Sequence, residues 1–305
     1  MSSAVLLMAY GTPATLDDVP AYFAHIRGGR QVRPEAVEEL RERYRRIGGT
    51  SPLREVTEAQ AAGVARVLRE RGSAVPVAVG MKHAPPFIGD AVSDLARAGV
   101  RRIAALALAP HYSKVSIASY FSAAAEAAAS LGLSLRTRES WHDHPGFIAG
   151  LADRVRAALR GAHDPASVET IFTAHSLPER ILSWGDPYPD QLLQTSALVA
   201  ASAGLSRWRL AFQSASHTGE PWLGPHLLDV LRERAGGGAR EILVCPVGFV
   251  ADHLEVLFDI DVEARDLAQE LGVRLMRTPS LNDGADFLAV LAALASELLD
   301  GRGEA

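Results

Sequence analysis

Apolar, β-branched runs alternate with amphipathic segments from one end of the 305-residue chain to the other. That is the pattern of βαβ units: a buried parallel strand reads as a near-continuous apolar run, and the helix covering it shows one apolar face. The runs predict strands over 4–9, 75–80, 102–109, 133–138, 169–174, 208–213, 241–246 and 273–276. Between them, Val37, Leu40, Tyr44 and Ile47 share a helical face over 34–47, and Phe147, Leu151, Val155 and Ala158 share another over 147–159. Pro34 suits a first helical turn, where its missing N–H costs nothing, and Pro145 and Pro189 open later helices in the same way. A final amphipathic helix over 284–299 runs through Phe287, Val290, Leu291, Leu294 and Leu298.

An internal echo divides the strands into two sets. LLMAYGTP (6–13) matches IFTAHSLP (171–178), each an apolar strand followed by Ala, a ring-bearing residue, a small-residue turn and Pro. VAVGMKHAPPF then matches LAFQSASHTGEPWL, and IAALALAPHYSKVS matches ILVCPVGFVADHLEV, in the same order. The echo predicts two similar Rossmann-like α/β domains with parallel sheets, 1–143 and 144–280, and a C-terminal helix in 281–305 crossing back onto the first. Ligands of open parallel sheets bind where strand carboxyl ends and loops converge. Two such domains facing a shared cleft would direct Tyr10, Lys82, His83, His111 and Tyr112 of the first half towards it, with His175, His217 and Glu255 of the second.

Composition narrows the function classes. With 48% apolar and 22% charged residues the chain reads as soluble and globular. No apolar run approaches the roughly 18 residues of a membrane-spanning helix, so no transmembrane anchor is expected. The start, MSSAVLLMAYG, has neither a basic region nor a small-residue cleavage site, which makes it a first strand and favours the cytoplasm. A net charge of −5 argues against nucleic acid as partner. Cys245 is the only cysteine. An internal disulfide and an iron–sulfur cluster held by several thiolates of this chain are therefore excluded, and Cys245 inside VCPVGF is expected to be a buried, inert thiol.

His175 ends a strand and enters the turn Ser176-Leu177-Pro178. Alone it would be expected to pack in the core and bond a backbone carbonyl. The segment FVADHLEVLFDIDVE (249–263) supplies a partner, because Glu255, Asp259 and Glu263 stand four apart and form one ladder on a helical face. A capping arrangement of Asp252 with Glu255 explains part of that pattern. Asp259 and Glu263 cap nothing, and paired carboxylates collect hydrated divalent cations. Histidine with carboxylates and no cysteine suits ferrous iron or another borderline divalent ion better than structural zinc. No HExxH or CxxC is present, so a metal in transit is expected and not a tightly bound cofactor. In 25–53, Arg41 and Arg45 have glutamate partners at helical spacing. Arg27 lies in a glycine-rich loop and Arg43 stands beside Tyr44, where either can take a carboxylate ligand. There is no GxGxxG or Walker sequence.

Together LLMAYGTP, HIRGGR, RYRRIGGTSPL, GMKHAPPFIGDAV, LAPHYSKVSIASY, TAHSLPERI, GDPYPDQL, QSASHTGEPWLGP and VCPVGFVADHLEVLFD resemble the ferrochelatase family over nearly the whole chain, most closely its soluble bacterial coproporphyrin III type. The resemblance implies the chelatase fold, with Fe2+ and a porphyrin as substrates and the product made in haem biosynthesis. It implies His175 and Glu255 as the catalytic pair and as ligands of the arriving Fe2+, and Tyr10 as axial ligand of the product iron. Arg27, Arg43, Tyr44, Ser51 and Tyr120 match positions that hold the porphyrin and its propionates, and Asp259 and Glu263 match an outer metal site. Tyr10 is associated with coproporphyrin III; transient haem-pathway partners are compatible with this reading. Protoporphyrin IX ferrochelatase, a cobalt or nickel chelatase, and a non-catalytic tetrapyrrole-binding protein are the alternatives.

Overall fold

The computed structural model describes residues 2–216 and 219–302. Eight parallel strands form at the predicted places, in two four-stranded sheets. The first sheet holds β1 (Ser3–Ala9), β2 (Val77–Met81), β3 (Arg102–Ala107) and β4 (Ser134–Arg138), in the order β2-β1-β3-β4. The second holds β5 (Glu169–His175), β6 (Trp208–Gln213), β7 (Glu241–Cys245) and β8 (Arg274–Arg277), in the order β6-β5-β7-β8. The orders are identical when the second set is shifted by four strands. In each sheet the chain steps from the first strand of the set to one side and then crosses back to the other, and the crevice of such a sheet opens at the strand carboxyl ends at that switch point, between β1 and β3 and between β5 and β7.

The echo continues into the loops. At the end of β2 the Met81 N–H donates to Pro86 O in the following loop at 2.7 Å, and near the end of β6 the Phe212 N–H donates to Pro225 O at 2.8 Å. Both prolines follow cis peptide bonds, and two residues beyond each a helix begins, α4 (Ile88–Arg97) and α8 (Leu227–Gly236).

The chain separates into two compact units, Met1–Trp141 with Asn282–Ala305, and His142–Leu281. In the first, α1 (Val19–Ile26), α2 (Pro34–Arg46), α3 (Leu53–Glu70), α4, α5 (Ala118–Ser130) and the final helix, α10 (Ala285–Leu299), accompany the sheet. α10 packs on α3, β3 and β4. The approach to α3 is close: a Cβ on Gly63 would lie 2.4 Å from Leu288 Cδ1, and Gln60 Nε2 donates to Asn282 O at 2.8 Å. Leu6, Met8, Val92, Ala105 and Ala124 are buried together in the core under α4 and α5.

The second unit carries α6 (Pro145–Leu159), α7 (Tyr188–Ala203), α8 and a helical stretch that ends as α9 (Arg265–Glu270). Ile171, Val244, Val256, Ile260 and Leu231 form one of its cores. Pro34 and Pro145 are the first residues of α2 and α6, and Pro189 is the second of α7.

Candidate active site

β5 delivers His175 to the carboxyl end of the second sheet, opposite Gln213 of β6. The Ser176 N–H donates to Gln213 O at 2.7 Å, and Ser176 Oγ donates to Leu223 O at 2.7 Å, so the turn behind the histidine is fixed from two sides. The imidazole Nδ1 faces the Ser176 carbonyl. A carbonyl only accepts, so Nδ1 carries the proton of the neutral ring and Nε2 carries the lone pair. Nε2 lies 3.6 Å from Glu255 Oε1. The Tyr188 hydroxyl donates to His175 O at 2.9 Å; burial, and then the charges of Glu255 and Asp186, push that phenol's pKa up, so it stays a donor.

Glu255 stands between two imidazoles. His253 Nδ1 donates to Ala251 O at 2.9 Å, which turns its Nε2 towards Glu255 Oε2 at 3.9 Å. Burial opposes ionisation of Glu255, yet His175, His253 and the Ser214 hydroxyl together hold its carboxyl at about 2. Burial likewise opposes charge on His253, and Glu255 outweighs it, raising the imidazole's pKa.

The helix carrying Glu255 departs from the expected α-helical ladder. Leu257 N–H still bonds His253 O, four residues back, but Val256–Ala264 is a π-helix, and Arg265 N–H reaches Ile260 O, five back. Such segments cluster at functional sites. Asp252 is engaged by Arg277 and Ser280. Asp259, 6% exposed, accepts from Ser214 Oγ and, at 3.4 Å, from Gln213 Nε2, which also bonds Glu255 O at 3.0 Å. Ser214 takes a left-handed backbone, φ 61°, a strained conformation for a residue with a Cβ. Glu263 lies half-buried further along the same segment.

In the first unit, Tyr10 follows β1 and is 38% exposed. The residues after β2 are zipped to it: Lys82 N–H and His83 N–H donate to Ala9 O and Tyr10 O, each at 2.9 Å. The His83 ring lies 4.6 Å from the Tyr10 ring, and its Nδ1 is 3.0 Å from His25 Nδ1. Burial first, then Lys82 and His25, hold His83 neutral, its pKa down at about 3. Lys82 Nζ sits 5.2 Å from the centre of the buried Tyr120 ring, and burial lowers its pKa.

Tyr44 is buried, its hydroxyl 3.2 Å from Thr12 Oγ1. Ser51 is buried and accepts the Leu53 N–H at 3.3 Å at the start of α3. Arg27, just after α1, is exposed with its guanidinium 5.8 Å from the Phe23 ring centre, and Arg43 pairs with Glu39 at 3.4 Å. Arg41 and Arg45 are in surface pairs as expected, but at separations of three and seven, Arg41 with Glu38 and Arg45 with Glu42 and Glu38, whereas a separation of four is that of Arg43 and Glu39. His111 is buried and Tyr112 half-buried in the loop after β3. His217 lies outside the described residues. His25, His253, Gln213 and Ser214 were not singled out from sequence; His253 had the nearest signal, standing two residues before Glu255.

Among the described residues no helix is long and apolar enough to cross a membrane. The Ferrochelatase family model matches residues 2–299. A ferrochelatase of Herpetosiphon aurantiacus is 43% identical over 301 residues, covering 96% of this chain and 98% of its own. The coproporphyrin III ferrochelatase of Bacillus subtilis is 40% identical over 301 residues, covering 97% of each. Among solved structures, the sirohydrochlorin chelatase SirB of Bacillus subtilis subspecies spizizenii superposes with a TM-score of 0.59 at 11% identity, covering 100% of both chains. That last likeness concerns the fold.

Proposed function

The chain belongs to the ferrochelatase family, and on that premise we propose that it inserts Fe2+ into coproporphyrin III to give Fe-coproporphyrin III in haem biosynthesis. Fe2+ and the porphyrin are its substrates. Relatives named for coproporphyrin III, 40% identical over nearly the whole chain, support that porphyrin, as does Tyr10 in the MAYGTP turn. With one cysteine, whose thiol burial pushes up to about 12, the enzyme works without an iron–sulfur cluster, in the cytoplasm.

The observation that carries the chemistry is the pairing of His175 with an ionised Glu255. Insertion exchanges two pyrrole N–H protons for Fe2+, so the enzyme must supply a base. The Nε2 lone pair accepts the pyrrole protons one at a time, the carboxylate 3.6 Å away stabilises the imidazolium formed, and the partly exposed ring passes each proton to water, so that both leave as Fe2+ takes their place. Both groups also suit the arriving Fe2+ as ligands. Tyr10 would supply a phenolate ligand to the product iron. Arg27 and Arg43 hold propionates, Tyr44, Ser51 and Tyr120, buried in this structure, belong to the porphyrin site, and Asp259 with Glu263 forms an outer metal site.

The test is porphyrin absorption followed anaerobically with Fe2+. His175→Ala is expected to abolish insertion while porphyrin binding, read by quenching of intrinsic fluorescence, stays within about threefold of the parent. Near-normal turnover of that variant would remove His175 from the mechanism.

A further inference from the structure

The π-helix under Glu255 needs something to hold it, because a run of backbone bonds to the fifth residue back is rare and the α-helical register is the default. Among the described residues of the second unit Arg277 is shaped for that task; Arg265, which also reaches Asp261 Oδ1 at 3.2 Å, stands four residues on in the same helical stretch and cannot tie it to a strand. Arg277 ends β8, where it is paired in register with Val244 of β7 and so rests on a rigid strand. Its guanidinium donates to both oxygens of Asp261, from Nε at 2.9 Å and from Nη2 at 2.7 Å. Its remaining nitrogen, Nη1, donates to Asp252 Oδ1 at 3.1 Å and to Thr278 O at 3.1 Å. Ser280 Oγ secures the same Asp252 oxygen at 2.7 Å. The three charged side chains are mostly buried, 15 to 21% exposed.

One planar fork thus grips the chain at two points nine residues apart. Asp252 lies on the loop that leads into Glu255, and Asp261 lies in the middle of the π segment. A second pin falls on the same turn, where Asp259 is bonded by Ser214 and Gln213. Relaxation to an α-helix would shift the later residues by one place relative to the earlier ones. Asp259 and Asp261 could not then both keep their partners. Planar, bidentate geometry is what distinguishes arginine from lysine in such a role.

We propose that Arg277 is a positioning residue for the metal-insertion step: by holding Asp252 and Asp261 it fixes the π register that presents Glu255 to His175. The inference rests on the reading of Glu255 as a catalytic group. Steady-state insertion kinetics on Arg277→Gln, Arg277→Lys, Asp261→Asn, Glu255→Gln and Leu288→Ala, with thermal melting of each, test it. Leu288→Ala weakens the other unit and controls for stability alone.

At a temperature where each variant is folded, Arg277→Gln is expected to lower kcat at least tenfold with the KM for porphyrin within about twofold. Arg277→Lys, restoring the charge without the fork, recovers only part of the loss. Asp261→Asn combined with Arg277→Gln costs no more in kcat than the worse single change, and Leu288→Ala keeps full kcat. If Arg277→Gln does not fold, Asp261→Asn and Arg277→Lys carry the same comparison. Full kcat in folded Arg277→Gln, or in both other variants, alongside an inactive Glu255→Gln overturns the positioning role and leaves the catalytic reading standing. Normal turnover in Glu255→Gln overturns both.

Discussion

At the scale of single residues, the second unit spends one carboxylate on two imidazoles, and that choice is measurable without any substrate. Glu255 has its folded pKa lowered from 4.5 to about 2. A depressed carboxyl contributes stability that is present above about 4.5 and is lost as pH falls towards 2. His253 has the opposite sign: raised above 6.5, it contributes stability below that value and loses it as pH rises through the folded pKa. Urea midpoints measured from pH 5 to pH 2 should therefore fall more steeply for the parent than for Glu255→Gln. Glu241, held at about 2 chiefly by its His163 bond and then by Arg274, falls in the same window in both proteins and cancels in the difference. Parallel midpoint curves would contradict the charged arrangement around Glu255. By residue pattern alone His175 reads as a core histidine and Glu255 as one step of an acidic ladder; the two are singled out together only by the resemblance that TAHSLPERI and GFVADHLEVL carry. Ser214 and Gln213 were not singled out at all, since their part depends on a left-handed backbone and on a helix 45 residues away in sequence from Ser214. His25 was hidden for a similar reason, its partner His83 lying 58 residues further on.

At the scale of elements, the strands were the most legible part, because strands buried in parallel sheets must be apolar on both faces and so stand out as runs. The segment Val256–Ala264 was the least. Its residues suit an α-helix, and the π register comes from side chains on β6, β8 and the loop after β6, which a local pattern does not contain. Close packing at the end of β5 gives a second element-level prediction. Gly248 N–H bonds Thr173 O at 3.0 Å, and a Cβ there would fall 2.5 Å from Ala174 Cβ. Gly248→Ala should destabilise by about 1–3 kcal/mol through overpacking, and should lower turnover as well, since Ala174 adjoins His175. Gly89→Ala, in the first turn of α4 where a Cβ meets nothing within 4 Å, should change stability by no more than about 1 kcal/mol, towards higher stability. Equal denaturant midpoints for the two variants would refute this account of the β5 end.

At the scale of the molecule, the fold repeats one four-stranded order twice, and the repeat is visible in sequence as three paired stretches met in the same order. The return of the last helix to the first unit has a physical basis in its composition. α10 buries Phe287, Leu288, Val290, Leu291, Leu294 and Leu298, too wide an apolar surface to leave in water, and the glycine at position 63 of α3 leaves room for it. Function was legible at this scale through motif contexts spread along the chain, whereas the choice among porphyrins was carried by little more than Tyr10. The decisive measurement is anaerobic Fe2+ insertion into coproporphyrin III and into protoporphyrin IX, followed side by side by loss of free-porphyrin absorption. Rapid conversion of coproporphyrin III is expected, with kcat/KM at least about tenfold above that for protoporphyrin IX; conversion of protoporphyrin IX alone would rule out coproporphyrin III as the substrate.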